Sequence, residues 1–359
     1  MTTNQKTIFL TGATGFLGSY LLGILLDNGY RVYALARGKD KGPEERVKAM
    51  LDFWDMGISG DKLKNLKVVE GDITGRRMGI SLKAARELHS EVQIIFHSAA
   101  LAKLRVPLEE IREINVGGTK NVFTFASKCK KLEKFNHIST AYIAGTKSNI
   151  YFDEDMLDMG QKFNNFYEQT KYEAEVLARR YWKKDWPVAI FRPGMVMGDS
   201  VSGKTNEFRL FYEPLHIFAR GIYEAFPADM KCFQNLINVD TVGKAIFYLG
   251  IENENAVYQI VSPEANTIGF FFDTASKYFG FKLPEFTPVD YFDFKKLTAV
   301  QKTLALPYIP YFNNNTRFLS DKTQKALEKY NFKFPKIDEN NLNHIFEYCV
   351  RRGFIKAVS

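Results

Sequence analysis

Short apolar runs alternate along the first two hundred residues with longer segments in which apolar positions recur at helical spacing. Residues 7–10, 31–36, 66–71, 93–97, 135–139 and 188–191 read as strands, and 16–26, 43–53, 81–91, 108–131 and 166–183 as helices, the second opening on Pro43. Residues 145–160 read as a polar loop. Strands that alternate with helices predict an α/β fold with a parallel sheet covered on both faces. Beyond residue 200 the alternation lapses. A Gly/Ser/Thr/Asn loop at 200–206 leads into an aromatic-rich helix at 208–218. A strand at 235–240, a helix at 241–249 and a strand at 256–261 then return to the first pattern, followed by a helix at 267–279. The segment 283–359 is rich in Phe, Tyr and Pro, with helices expected near 320–330 and 339–351.

The first strand runs into Thr11-Gly12-Ala13-Thr14-Gly15-Phe16-Leu17-Gly18, and a helix follows at once. That context suits a dinucleotide. Gly12 would permit the sharp turn, Gly15 the close approach of backbone to pyrophosphate, and Gly18 tight packing of helix on sheet. Amides of the first helical turn, at the positive end of the helix dipole, would face the phosphates. Gly12, Thr14, Gly15, Phe16, Leu17 and Gly18 are therefore candidate cofactor contacts. The expected fold is a Rossmann-type doubly wound parallel sheet with a smaller, mostly C-terminal substrate lobe. Residues 1–200, with 234–262 returning, would form the dinucleotide domain, and 201–233 with 263–359 the lobe.

Ligands of such sheets bind beyond the carboxyl ends of the strands, and the residues there refine the site. The second strand ends on Arg37, 19 residues past Gly18, where an acidic residue would bind a ribose hydroxyl and an arginine suits a 2′-phosphate. Lys39 and Lys41 follow closely, so the expected cofactor is NADPH. Asp72 and Ile73 end the third strand, placed to meet an adenine. Ser98, Ala99 and Ala100 end the fourth, small enough for close approach to a dinucleotide, and Pro193-Gly194 breaks the sixth where the nicotinamide half would lie. His97, inside an apolar run, reads as a packed, hydrogen-bonded histidine rather than a catalyst.

The fifth strand ends in Ser139-Thr140, and the next helix carries Tyr167 and Lys171, four apart and so on one face. An ammonium beside a phenol favours the phenolate and lowers its pKa, and such a phenol can transfer a proton. The same spacing recurs at Tyr278/Lys282 and Tyr291/Lys295, but in segments broken by Gly280, Pro284 and Pro288 and without a preceding Ser-Thr strand end.

With 49 Lys+Arg against 41 Asp+Glu the formal charge is +8, which favours anionic cofactors or carriers. The charge is scattered in short knots, as at Lys128, Lys130, Lys131 and Lys134, which reads as solvated helix face and not a nucleic-acid groove. Three distant cysteines, Cys129, Cys232 and Cys349, lack metal-ligand spacing and suggest a reducing compartment. The sequence shows neither a leader pattern nor an apolar run near the ~18 residues of a membrane span. A soluble cytoplasmic protein is expected, with peripheral membrane contact left open.

These motifs together resemble the extended short-chain dehydrogenase/reductase superfamily. Within it the sequence is most similar to thioester reductase domains and fatty acyl reductases, the male-sterility-type branch. The resemblance rests on residues 11–18, His137-Ile138-Ser139-Thr140-Ala141-Tyr142, Tyr167-Glu168-Gln169-Thr170-Lys171 and the Arg192-Pro193-Gly194 run through Gly198-Asp199-Ser200. It covers most of the chain but not the last ~80 residues. It implies that Thr140 binds the substrate carbonyl, Tyr167 donates a proton, and Lys171 holds the nicotinamide ribose and tunes Tyr167. NADPH would reduce an acyl thioester, on CoA or an acyl carrier protein, to an aldehyde, and a second reduction to the alcohol stays open. The sequence shows no adenylation or carrier domain, so a carrier-bound substrate is expected in trans. Two other readings remain: an extended-family enzyme acting on a nucleotide sugar, a steroid-like compound or another carbonyl or alcohol, and a non-catalytic NADP-binding sensor or scaffold. The missing acidic pair after Thr140 speaks against sugar dehydration, Arg37 against an NAD-retaining epimerase, and the Thr140/Tyr167/Lys171 set against a pure sensor.

Overall fold

Seven of the apolar runs form one sheet in the computed structural model, which describes residues 6–252 and 254–356. The ends of the expected domains, at 1–5 and 357–359, and residue 253 lie outside the described residues. The strands are β1 Thr7–Thr11, β2 Arg31–Ala36, β3 Leu66–Glu70, β4 Ile94–His97, β5 Lys134–Ile138, β6 Val188–Pro193 and β7 Val257–Ile260. All pair in parallel, in the order β3-β2-β1-β4-β5-β6-β7. β1, β4, β5, β6 and β7 are buried along their whole length. A strand covered on both faces reads as a continuous apolar run, which is why these were visible in the sequence. The order reverses between β1 and β4, and that is where a crevice opens at the carboxyl ends of a doubly wound sheet.

The main helices are α1 Phe16–Asp27, α2 Pro43–Trp54, α3 Leu82–Glu91, α4 Gly118–Ala126, α5 Phe166–Trp182, α6 Tyr212–Ala219, α7 Val239–Glu252, α8 Ile268–Phe279, α9 Asp321–Glu328 and α10 Glu339–Arg351. On one face of the sheet, Leu21 and Leu25 of α1 and Val242 and Ile246 of α7 share a core with Ile8 and Phe96. On the other, Leu88, Phe123 and Ala178 pack with Phe9, Phe135 and Ile190. A separate aromatic core is built from α6, α8, α10 and the short helix Ile309–Phe312. Phe218 and Phe226 meet edge-on there, 5.0 Å apart at 80°, a favourable aromatic geometry. Most of the C-terminal aromatics are thus core.

Several elements differ from the sequence pattern. The helical region expected over 108–131 breaks into Leu108–Arg112, a π turn at Glu113–Gly117 and α4. The wide turn lets buried Asn115 leave the helix and grip the loop after β4: its side chain accepts from Leu101 N at 2.7 Å and donates to Leu101 O at 3.2 Å. The expected polar loop holds a short strand, Tyr151–Phe152, paired with Arg317–Phe318. Leu236–Asn238 is a strand, but it pairs with Met195–Met197 outside the main sheet. α9 returns to the main sheet, where Thr323 Oγ1 accepts the Gln259 amide at 2.7 Å and donates to Glu154 at 3.0 Å. Each of these rests on a partner distant in the sequence or on one side chain, which periodicity does not register.

One buried cluster ties the sheet to α5. Arg192, fully buried at the end of β6, meets fully buried Glu175 of α5 at 2.7 Å. Its Nη1 donates to the Asp153 carbonyl at 3.1 Å, and the Nη2 that meets Glu175 also donates to the Met156 carbonyl at 2.6 Å. Ser139, just past β5, donates to Glu175 Oε2 at 2.7 Å, and Arg179 adds a contact at 3.0 Å. Burial pushes the Glu175 carboxyl up, but the two guanidiniums and Ser139 outweigh it and hold it below its ordinary value. Removing one member strands the opposite charge in a medium of low dielectric. Glu175→Ala should therefore cost about 3–5 kcal/mol, read as a lower midpoint in urea unfolding, and an unchanged midpoint would contradict this.

Candidate active site

The carboxyl ends of β1, β4, β5 and β6 converge on a cleft of about 500 Å³. Gly15, Phe16, Leu17 and Gly18 line it on one side. Gly12 lies beneath them, with φ of +81° and no room for a side chain: a Cβ there would sit 2.7 Å from Ala99 N. A Cβ on Gly18 would sit 2.2 Å from Gly12 O. At Gly15 the only near atom is Gly12 O at 3.3 Å, so that backbone stays open to the cleft. No side chain caps the start of α1, which leaves its first amides available to an anion. This cradle fits a dinucleotide pyrophosphate.

Arg37 and Lys39 line the far end of the same cleft. Arg37 pairs with Asp72 at 3.4 Å, and Asp72 Oδ1 also accepts from Thr74 N and Oγ1, each at 3.0 Å. Ile73 is buried and packs beneath Gly118, while its carbonyl accepts from Asn121 at 2.8 Å. Neither Asp72 nor Ile73 is on the cleft lining. Nor is Ala99, whose amide donates to Thr11 Oγ1 at 3.3 Å, whereas Ser98 and Ala100 face the cleft. Thr14 also lies off the lining. It is where a residue missed in the sequence enters: Arg46, in the first turns of α2, donates to Arg37 O at 2.6 Å and reaches Thr14 Oγ1 at 3.5 Å. Its only sequence signal was a place near the start of the helix that follows Arg37.

Thr140, Tyr167 and Lys171 meet at the other end, beside Pro193 and Gly194. Thr140 Oγ1 donates to Pro193 O at 3.4 Å and accepts from Tyr142 N at 3.3 Å, and it is hydrogen-bonded to the Tyr167 hydroxyl. Burial pushes the Tyr167 phenol up to about 12, with the Thr140 hydrogen bond opposing and Glu168 adding to the rise. Lys171 Nζ donates to Ile138 O at 2.5 Å, and burial brings it down to about 8 against the pull of Glu175. The ammonium is turned to the end of β5, and it is not among the groups that shift the phenol. The lysine-lowered phenol expected from the spacing is thus absent in the protein alone.

His97 packs as expected, between Thr11 Oγ1 at 2.8 Å and Thr119 Oγ1 at 2.9 Å. Burial and the nearby Lys171 lower it to about 3, so it stays neutral. The cleft's remaining wall was not legible in the sequence. Tyr142 and Tyr311 line it with Met195 and Leu210, while Lys103 and Arg209 stand on the same lining.

The family model described as Male sterility protein matches residues 10–246. The chain belongs to this family. It is an NAD(P)-dependent oxidoreductase of the extended short-chain dehydrogenase/reductase type. The family's L-2-aminoadipate reductase of Saccharomyces cerevisiae is 30% identical over 70% of this chain, which covers 20% of that enzyme. The curated relatives are far longer, for this chain spans between 7% and 22% of the first three. The terminal R domain of the myxalamid PKS-NRPS biosynthetic pathway is 26% identical, with a TM-score of 0.86 over 100% of this chain and 94% of its own. A thiolation-reductase di-domain from an archaeal non-ribosomal peptide synthetase shares the fold, 22% identical with a TM-score of 0.78 over 98% of this chain and 76% of its own. The described residues of the C-terminal segment, 283–356, which carried no resemblance in the sequence, therefore fall within a shared fold. Among the described residues no helix is long and apolar enough to cross a membrane.

Gly18→Ala tests the cradle. The added methyl must displace the loop, so binding of a nicotinamide dinucleotide should weaken on the order of tenfold or more, about 1.4 kcal/mol, by calorimetry. Undiminished binding would mean that the dinucleotide lies elsewhere.

Proposed function

We propose that the chain uses NADPH to reduce an acyl thioester, carried on the pantetheine arm of CoA or a carrier protein, to an aldehyde. The observation that carries this reading is the Thr140–Tyr167 hydroxyl pair, set where the dinucleotide cleft meets a wall of Met195, Leu210 and Tyr311. Such a wall suits an acyl group better than a sugar. The family membership and the aminoadipate reductase and R-domain relatives support the same class of reaction. Arg37, Lys39 and Arg46 near the end of β2 favour a 2′-phosphate, and Lys103 and Arg209 favour the phosphate of a pantetheine arm.

The bound cofactor supplies a hydride to the thioester carbon. Thr140 and Tyr167 bind the carbonyl oxygen with two hydroxyls and stabilise the negative charge that grows there. A phenol near 12 is protonated at neutral pH, so Tyr167 holds the proton that this oxygen takes up. The hemithioacetal then loses its thiol, and the aldehyde remains. Lys171, charged below about pH 8, offers the nicotinamide ribose a donor. Pro193 and Gly194 line the cleft where the nicotinamide ring would lie, and a side chain at Gly194 would strike Asn235 O at 2.7 Å.

Tyr167→Phe should lower kcat on thioesters by about 10²–10⁴-fold in an NADPH absorbance assay with acyl-CoA and acyl-carrier substrates. Turnover of nucleotide sugars alone, or turnover indifferent to this change, would overturn the reading. The lysine gives a pH signature. Its charge is lost as pH rises through about 8, so kcat/KM should fall above that pH, and Lys171→Met should abolish that limb along with most activity. A profile flat to pH 10 would contradict the assigned role. Arg37→Ala and Arg46→Ala should each weaken NADPH more than NADH, and equal weakening would remove the basis for the phosphate.

A further inference from the structure

Tyr311 comes from the part of the C-terminal segment, 283–319, in which the sequence predicts no element, yet it lines the site. Its ring is 6% exposed and faces the catalytic cleft on one side. Behind it lies an apolar pocket formed by Met195, Leu210, Phe211, Leu236, Phe271 and Phe272. The free space there is about 20 Å³, little more than one water needs. Gln234 is the one amide on that wall, and it is already engaged: its nitrogen donates to the Tyr311 carbonyl and its oxygen accepts from Tyr142 at 3.4 Å.

The hydroxyl of Tyr311 is held twice by the start of the catalytic helix. It donates to Glu168 Oε1 at 2.6 Å and accepts from Asn165 Nδ2 at 2.6 Å. Asn165 also caps α5, accepting from Glu168 N at 3.0 Å. Glu168 is fully buried beside Tyr167 and accepts from Asn164 N at 2.9 Å. Swinging the ring aside would leave the buried Glu168 carboxyl with Asn164 alone and take from Asn165 Nδ2 its acceptor, a cost that keeps the ring in place. Tyr142 meets it edge-on at 5.7 Å.

We propose that Tyr311, clamped by Glu168 and Asn165, is the partition that limits the acyl group to short chains by closing the cleft off from the apolar pocket behind it. The inference rests on the thioester reading and assigns that substrate its size. A chain that reaches Thr140 and Tyr167 along this wall meets the Tyr311 ring, which bars it from the pocket behind.

The test uses two series of pantetheine derivatives, from ethyl to decyl: S-alkyl thioethers that cannot be reduced, for binding by calorimetry, and the matching acyl thioesters, for kcat/KM. The wild type should favour the short members of both. Tyr311→Ala should move the optimum to longer chains, with about a fourfold gain for each methylene newly buried. Tyr311→Phe keeps the ring but loses the clamp, so KM for long chains should fall relative to KM for short ones. Glu168→Gln keeps an acceptor for the hydroxyl and should retain the wild-type profile. A flat wild-type profile, or an optimum unmoved in both Tyr311 variants, would overturn the partition while thioester turnover itself survived. Thioethers whose optimum shifts in Tyr311→Ala, on a protein that reduces no thioester, would support the partition and sink the reaction instead.

Discussion

The buried pair of Glu175 and Arg192 is the contact on which the site's geometry depends. Glu175 belongs to the helix that carries Tyr167 and Lys171, Arg192 to the strand that ends in Pro193 and Gly194, and Ser139 to the strand that delivers Thr140. Three elements distant in sequence are thereby fixed to one another about a single carboxylate. Such a pair adds little net stability over an apolar replacement, since desolvation offsets most of its attraction. Its geometry is what matters here. Bidentate contact between a planar guanidinium and a carboxylate fixes orientation as well as distance, and hydroxyls that must meet one carbonyl oxygen need both.

A second set of buried polar contacts performs the same task around the cofactor loops. Asn115, freed from its helix by the π turn, spans from Leu101 to Thr170 of α5, to which it donates at 3.0 Å. His97 joins Thr11 to Thr119. The loops that follow β1 and β4, on either side of the switch point, are thus pinned to the helices beside them. At the glycine loop no side chain is needed, because the backbone itself forms the cradle.

How much of this the sequence disclosed follows from the range of each interaction. The main strands were legible because burial on both faces leaves an unbroken apolar run, and the glycine loop because its chemistry is local. Thr140, Tyr167 and Lys171 were legible through spacing and strand ends. The coupling expected between Lys171 and the phenol was not found, since a buried ammonium takes the nearest carbonyl, that of Ile138. Tyr311 reaches the cleft, and Arg46 the loops beside it, only through tertiary packing. Tyr311 lies 143 residues from the carboxylate that holds it, and nothing in its own neighbourhood marks it.

The account's central claim is that a hydride reaches a thioester carbonyl and frees a thiol. Its most direct test is a reaction with NADPH deuterated at the transferable position and an acyl-pantetheine thioester, with the aldehyde captured and weighed by mass spectrometry. The account predicts one deuterium on the aldehyde carbon and one thiol released for each NADPH consumed. Thiol released with unlabelled carboxylic acid, and NADPH left intact, would contradict it.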